Sequence, residues 1–386
     1  MNSFRAKKST LRNAAFLRVS LPLLLVFDGA AGRTSVPFIA ILQEAFELGR
    51  HTKPVIGLMG HHTSAQTSAF YPNPLTQTDA ADPSLLAHGN QLYLYSTGCM
   101  VRGGGAYPIS VTSREDRTSW TSVGGVFSKE TFPQWTMVGR CKYWAPEVHR
   151  IAGQLVCYFS VWDQNERFCI GAATSDSPAG PFRDVGAPLV SNPEYGLIDA
   201  GYFHDPITRR HWLMWKEDKN ALTPQQPTNI LIQELTSNGL AVKNEAVVLI
   251  ANDQEWEHEL VEAPSLIYRS PYYYLFYSAN GFSSDLYGVG VARSTNVNGP
   301  YHKFNKNPIL KSNKRFDGPG HQFLFEESPG VWTMFYHARD RASASRSRLL
   351  MSDPVRWSKT GWPYIKHGTP SDGWTTGAAT SKHRPK

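Results

Sequence analysis

Beyond its amino terminus the sequence lacks any run of the ~20 apolar residues that a membrane-spanning helix requires. Charge is sparse as well: Asp, Glu, Lys and Arg make up 18% of 386 residues, against 41% hydrophobic, a globular balance and not a disordered one. Only 4 cysteines occur (Cys99, Cys141, Cys157 and Cys169), and no C-x-x-C pair among them, so the usual zinc-site spacings are excluded. An even number suits an oxidising compartment. Cys157 and Cys169 flank a turn expected at Trp162-Asp163-Gln164 and are placed to face each other across a hairpin. A disulfide there and two buried thiols both fit. An Asp-rich loop of calcium-binding spacing is also missing.

The formal net charge of +7 sits at the ends of the chain: residues 1–31 carry +4 and residues 379–386 carry +3, which leaves 32–378 neutral. A neutral body offers no patch for a phosphate backbone or an anionic membrane surface, so neither nucleic acid nor membrane is expected as a partner. The leading charges have their own reading. A basic stretch ends at Arg18, the apolar run Val19–Phe27 follows, and Gly29-Ala30-Ala31 supplies small residues. That is the order of a signal peptide, with cleavage expected after Ala31 and an extracellular destination. Residues 32–70 read as an irregular lead-in, and 371–386 as a small, polar, basic and mobile tail.

What the chain does have is 11 Trp, 17 Tyr and 19 Phe, together with 31 Gly and 26 Pro, a composition that favours turn-rich β structure. It also repeats itself. Five stretches share an outline: a polar lead residue near Pro or Gly, an alternating apolar strand, a short turn, then an aromatic-rich strand. They begin at Asp82-Pro83, Trp144-Ala145-Pro146, Asp199-Ala200-Gly201, Glu262-Ala263-Pro264 and Gly320-His321. The lead positions 82, 144, 199, 262 and 321 are separated by 62, 55, 63 and 59 residues. Each interval holds about four short strands and no helical period. Equal units of four strands in series predict an all-β fold, a five-bladed β-propeller over residues 71–370.

The innermost strand of a propeller blade lines the central axis, so equivalent lead residues converge there. Three of them are carboxylates: Asp82, Asp199 and Glu262. Three carboxylates brought together raise one another's pKa, which structure alone would avoid. Glycoside hydrolysis needs that arrangement, with one carboxylic acid protonating the leaving oxygen and a carboxylate activating water or attacking the sugar.

These motifs resemble glycoside hydrolase family 43, the five-bladed arabinofuranosidases, arabinanases and β-xylosidases, from about Asp79 to Pro363. The resemblance implies Asp82 as general base, Asp199 as the group that modulates the acid's pKa, and Glu262 as general acid. It implies that Trp144 borders the sugar and that Arg348 reaches the sugar pocket. It places His321 near the axis, where many members hold calcium directly or through water; no cofactor is required, and such an ion would be structural. Inversion of configuration is implied too, with the Asp82 and Glu262 carboxyls about 6.5–9.5 Å apart. Ala200 and Ala263 stand where the family often has Pro and Gly. The implied partners are arabinose- or xylose-containing oligo- and polysaccharides, bound by a monomer. The stretch from Trp215 to Gly239 resembles exo-acting members. Two other readings stay open: a retaining β-fructosidase-like furanosidase, and a non-catalytic carbohydrate-binding propeller.

Overall fold

The computed structural model describes residues 69–376, apart from 100–104 and 138. The expected signal peptide, nearly all of the lead-in and residues 377–386 lie outside the described residues. Within them the chain forms five antiparallel sheets of three or four strands in sequence order, each one propeller blade, and two further two-stranded pairings. Blade one comprises Ser84–His88, Gln91–Tyr95, Ala106–Ser113 and Thr121–Phe127. Blade two comprises Tyr143–Ile151, Gln154–Trp162, Phe168–Ser175 and Arg183–Asp184. Blade three runs through Leu197–His204, His211–Glu217, Asn229–Leu235 and Val242–Ala251, and blade four through Val261–Arg269, Tyr272–Ala279, Gly288–Ser294 and His302–Lys303. Blade five has Phe316–Ser328, Val331–Asp340 and Leu349–Pro354. Only short 3-10 turns interrupt the strands of the described residues.

The apolar alternation that marks each second strand has a double purpose. Both of its faces are covered, because a blade is packed between two others. In Gln154–Trp162, Cys157, Phe159 and Val161 pack towards blade one, while Val156 and Tyr158 pack towards blade three. The buried apolar residues accordingly divide into five clusters, one for each interface between blades. Aromatic rings fill the wedges, as where Phe127 meets Phe159 edge-on at 5.0 Å.

A ring must also close. Segment 73–80 lies along the third strand of blade five: the Leu75 amide donates to the Leu350 carbonyl at 2.7 Å and the Ala80 amide to the Arg348 carbonyl at 2.8 Å. Asn73 acts as a backbone mimic, accepting from the Ser352 amide and donating to the Ser352 carbonyl, both at 2.9 Å. Beyond residue 370 the expected tail does not begin at once. Gly373–Thr375 pairs with Phe70–Pro72, because edge amides there find a partner strand.

Cys157 and Cys169 are not joined. In the register of their two strands Cys157 faces Ala173 and Cys169 faces Val161, so they stand four residues apart along the hairpin and remain buried thiols. The disulfide is Cys99–Cys141, which ties the loop between the second and third strands of blade one to the entry of blade two.

Candidate active site

Each blade kinks at the same place. Asp82, Ala145, Asp199, Ala263 and His321 all have positive φ, between 46° and 60°. In blades two to five the strand register shifts just beyond, at Trp144/Glu147, Ile198/Gly201, Glu262/Ser265 and Gly320/Phe323. Bulges of this kind bend a strand and re-aim its side chains. Non-glycine residues held at positive φ are strained, and such positions gather at functional sites. In blades two and four the kink falls one residue after the expected lead, so Trp144 and Glu262 hang from the position before it.

The five kinks are locked by a ring of hydrogen bonds between blades. Thr97, Ser160, Lys216, Ser278 and His337 occupy the matching position in the second strands, opposite Ala81, Trp144, Ile198, Glu262 and Gly320. Thr97 Oγ1 accepts from the Ala145 amide at 2.8 Å and Ser160 Oγ from the Asp199 amide at 3.0 Å. Ser278 Oγ accepts from the His321 amide at 2.8 Å, and His337 Nδ1 from the Asp82 amide at 3.2 Å. Burial holds the His337 imidazole at about 4, so it is neutral and free to accept. Lys216 has no lone pair to offer. The Ala263 amide donates instead to Asp199 Oδ2 at 3.0 Å.

All six residues expected at the site converge. Asp82, Trp144, Asp199, Glu262, His321 and Arg348 line one cavity of about 390 Å³, together with Thr97, Lys216, Asp218 and Phe282. Arg348 Nη1 lies 3.0 Å from Asp82 Oδ1, and Thr97 donates to Asp82 Oδ2 at 2.5 Å. Burial would raise this carboxyl, but the Arg348 guanidinium and the His321 imidazole hold it well below the usual range. For Asp199 burial wins, aided by the charges of Glu262 and Asp82 against the pull of His321 and Lys216, and the carboxyl rises to about 7. Glu262 accepts from Lys216 Nζ at 2.9 Å and from the Tyr287 hydroxyl at 2.8 Å. Gly320 is what lets Tyr287 reach it, since a Cβ there would stand 2.1 Å from the ring. Trp144 rests on Phe168 with ring centres 4.1 Å apart, and the Arg348 guanidinium sits 4.9 Å above the Phe282 ring.

Sequence reasoning passed over Lys216, Tyr287, Thr97 and His337. Lys216 left one trace, as a cation at the end of the apolar run Trp212-Leu213-Met214-Trp215. His321 Nδ1 is 3.4 Å from Asp82 Oδ1, and among the described residues no three His, Cys, Asp or Glu side chains are grouped to hold a metal. A directly bound calcium, which wants six or more oxygens, does not fit these side chains.

Two carboxyls with widely separated proton affinities around one cavity equip it for acid–base chemistry on a small bound group. Comparison with known proteins agrees. The model of the family "Glycosyl hydrolases family 43" matches residues 71–363. An extracellular exo-α-(1→5)-L-arabinofuranosidase of Cellvibrio japonicus is 27% identical over 328 residues, 75% of this chain and 87% of that protein. A probable arabinan endo-1,5-α-L-arabinosidase of Emericella nidulans is 26% identical over 363 residues, 85% of this chain and 88% of its own. Among solved structures, a thermostable family-43 glycoside hydrolase superposes with a TM-score of 0.67 at 26% identity, covering 78% of this chain and 97% of the other.

Proposed function

The chain belongs to glycosyl hydrolases family 43 and is a glycoside hydrolase, and from that premise we propose that it removes terminal pentoses, α-L-arabinofuranosyl or β-D-xylosyl, from plant cell-wall polysaccharides with inversion. Asp82 is the base that draws a proton from the attacking water. Glu262 protonates the leaving oxygen, and Asp199 beside it governs the acid's proton. Trp144 and Arg348 border the sugar. The observation that carries this reading is the arrangement of three carboxyls around one cavity: Asp82 held well below the usual range by Arg348 and His321, Asp199 raised to about 7 by burial, and Glu262 bonded to Lys216 and the Tyr287 hydroxyl. The activity named for the Cellvibrio relative supports exo action on arabinofuranosides.

The inverting assignment requires Asp82 and Glu262 carboxyls about 6.5–9.5 Å apart, with water between them. Proton NMR of the first-formed sugar tests it, and a retained anomer would favour the β-fructosidase-like alternative. We expect Glu262→Gln to abolish hydrolysis of natural glycosides while glycan binding stays measurable. Asp82→Asn should lose turnover of even activated aryl glycosides, by roughly 10²-fold or more. Unchanged turnover in Glu262→Gln would overturn the assignment of the acid, and in Asp82→Asn would move the base elsewhere. A panel of aryl α-L-arabinofuranoside, aryl β-D-xyloside and linear arabinan settles the sugar and the mode of attack. Secretion is part of the same proposal, supported by the Cys99–Cys141 disulfide and the extracellular Cellvibrio relative.

A further inference from the structure

Four of the five blades secure the next blade's kink with a hydroxyl or a neutral imidazole, and blade three alone puts an ammonium there. The exception falls beside the residue read as the proton donor. Lys216 is 1% exposed, and its Nζ lies 2.9 Å from Glu262 Oε2 and 3.2 Å from Asp218 Oδ1. Two consequences follow from one substitution of type. The Ala263 amide, robbed of the usual acceptor, fastens Asp199 next to Glu262. The ammonium, meanwhile, is shared between two carboxylates, only one of which belongs to the proposed acid.

We propose that Lys216 is a positioning residue for Glu262: it fixes the carboxyl and, by dividing its charge between Glu262 and Asp218, governs the pH at which Glu262 holds a proton. The inference rests on the reading of Glu262 as the acid. A buried ammonium beside a carboxylate favours the ionised form. Asp218 draws that charge off, so the acid can be recharged without deprotonating the lysine. Burial opposes the Lys216 charge, but Glu262, Asp218 and Asp199 outweigh it and raise its pKa, so the cation persists. The other titratable and charged groups around this cavity are Tyr287 of blade four and Glu259 before it, Asp199 of blade three, Asp82 of blade one, and His321 and Arg348 of blade five. All stay in place in the variants below.

Lys216 and its second partner Asp218 then have opposite effects on Glu262, which a merely structural role would not produce. With Lys216→Met, Glu262 keeps its proton to higher pH, and the alkaline limb of kcat/KM should move up by about one pH unit or more. With Asp218→Asn the cation rests wholly on Glu262, and the limb should move down. Lys216→Ser gives the Ala263 amide the acceptor that other blades have, and should move the limb up as Lys216→Met does. Lys216→Arg should return it towards wild type. Turnover of natural oligosaccharides should fall about 10-fold or more with Lys216→Met, and that of activated aryl glycosides less, since a good leaving group needs little acid. Circular dichroism checks folding, and Asp218→Asn, close to isosteric, carries the test if the lysine variants do not fold. Limbs that stay put, or shift in the same direction, overturn the proposal while an inactive Glu262→Gln leaves the function intact. An active Glu262→Gln overturns the reading of Glu262 as the acid.

Discussion

Asp199 holds the Ala263 amide and keeps its carboxyl among neighbouring carboxylates, and its burial sets the terms of both. Its carboxyl is raised from the ordinary 3.8 to about 7, first by burial and then by the neighbouring carboxylates. The folded protein therefore binds a proton between about pH 4 and 7 that the unfolded chain does not, so this group's contribution is full below about pH 4 and is lost as pH rises through 7. The slope is at most about 1.4 kcal/mol per pH unit. Asp199→Asn removes it while leaving an oxygen for the Ala263 amide. We expect the variant to gain stability relative to wild type as pH rises from 4.5 to 7.5, read from urea midpoints. Parallel pH dependence of the two proteins would contradict the burial argument. At this scale the sequence disclosed types better than neighbours. Asp82, Asp199 and Glu262 could be found because each opens a repeat; Tyr287 could not, because it lies outside the repeated outline and reaches Glu262 only where Gly320 lacks a Cβ.

The element that repeats is a kinked inner strand clamped by the blade before it. Spacing alone predicted the blades, because a two-residue alternation interrupted by turns admits few other folds. It could not place the kink, which is a matter of φ and of hydrogen-bond supply, so Trp144 and Glu262 were aligned with residues that are one step out of register. Ala145 and Ala263 turn at φ values of 46° and 53° without glycine, and what sustains them is the clamp on each amide. Ser278 shows its worth. Its Oγ accepts from the His321 amide at 2.8 Å and donates to Gln322 Oε1 at 2.9 Å, in a site with no exposure. Ser278→Ala leaves both groups buried and unpaired, and should cost about 1–3 kcal/mol. Because His321 faces Asp82 at 3.4 Å, the same change should lower kcat, whereas Ser122→Ala on the exposed last strand of blade one should do neither. Thermal melts and initial rates on one preparation of each test this pairing of effects.

Among the blades the decisive feature is the seam, which runs into the cavity of the candidate site. The amide of Arg348 donates to Asp79 Oδ1 at 2.8 Å, the Ala80 amide donates to the Arg348 carbonyl, and the Arg348 side chain then pairs with Asp82 across the same join. One side of the site therefore comes from the beginning of the described residues and the other from near their end, so closing the ring and bringing Arg348 to Asp82, the proposed base, are a single event. Asn73, 3% exposed, fastens the far end of that seam through Ser352 and Ser371. This closure could not be read from sequence, because segment 73–80 belongs to no repeat and its partners lie some 270 residues away. Asn73→Ala removes side-chain bonds to buried backbone, and should lower stability by about 2–4 kcal/mol. In native buffer the Asp82–Arg348 contact is still made, so kcat should stay within about twofold of wild type. As urea is added, activity should disappear at a lower concentration than in wild type, together with the fall in the unfolding midpoint. Loss of kcat in native buffer with an unchanged midpoint would show that Asn73 acts on the chemistry directly and that the seam is not what it holds.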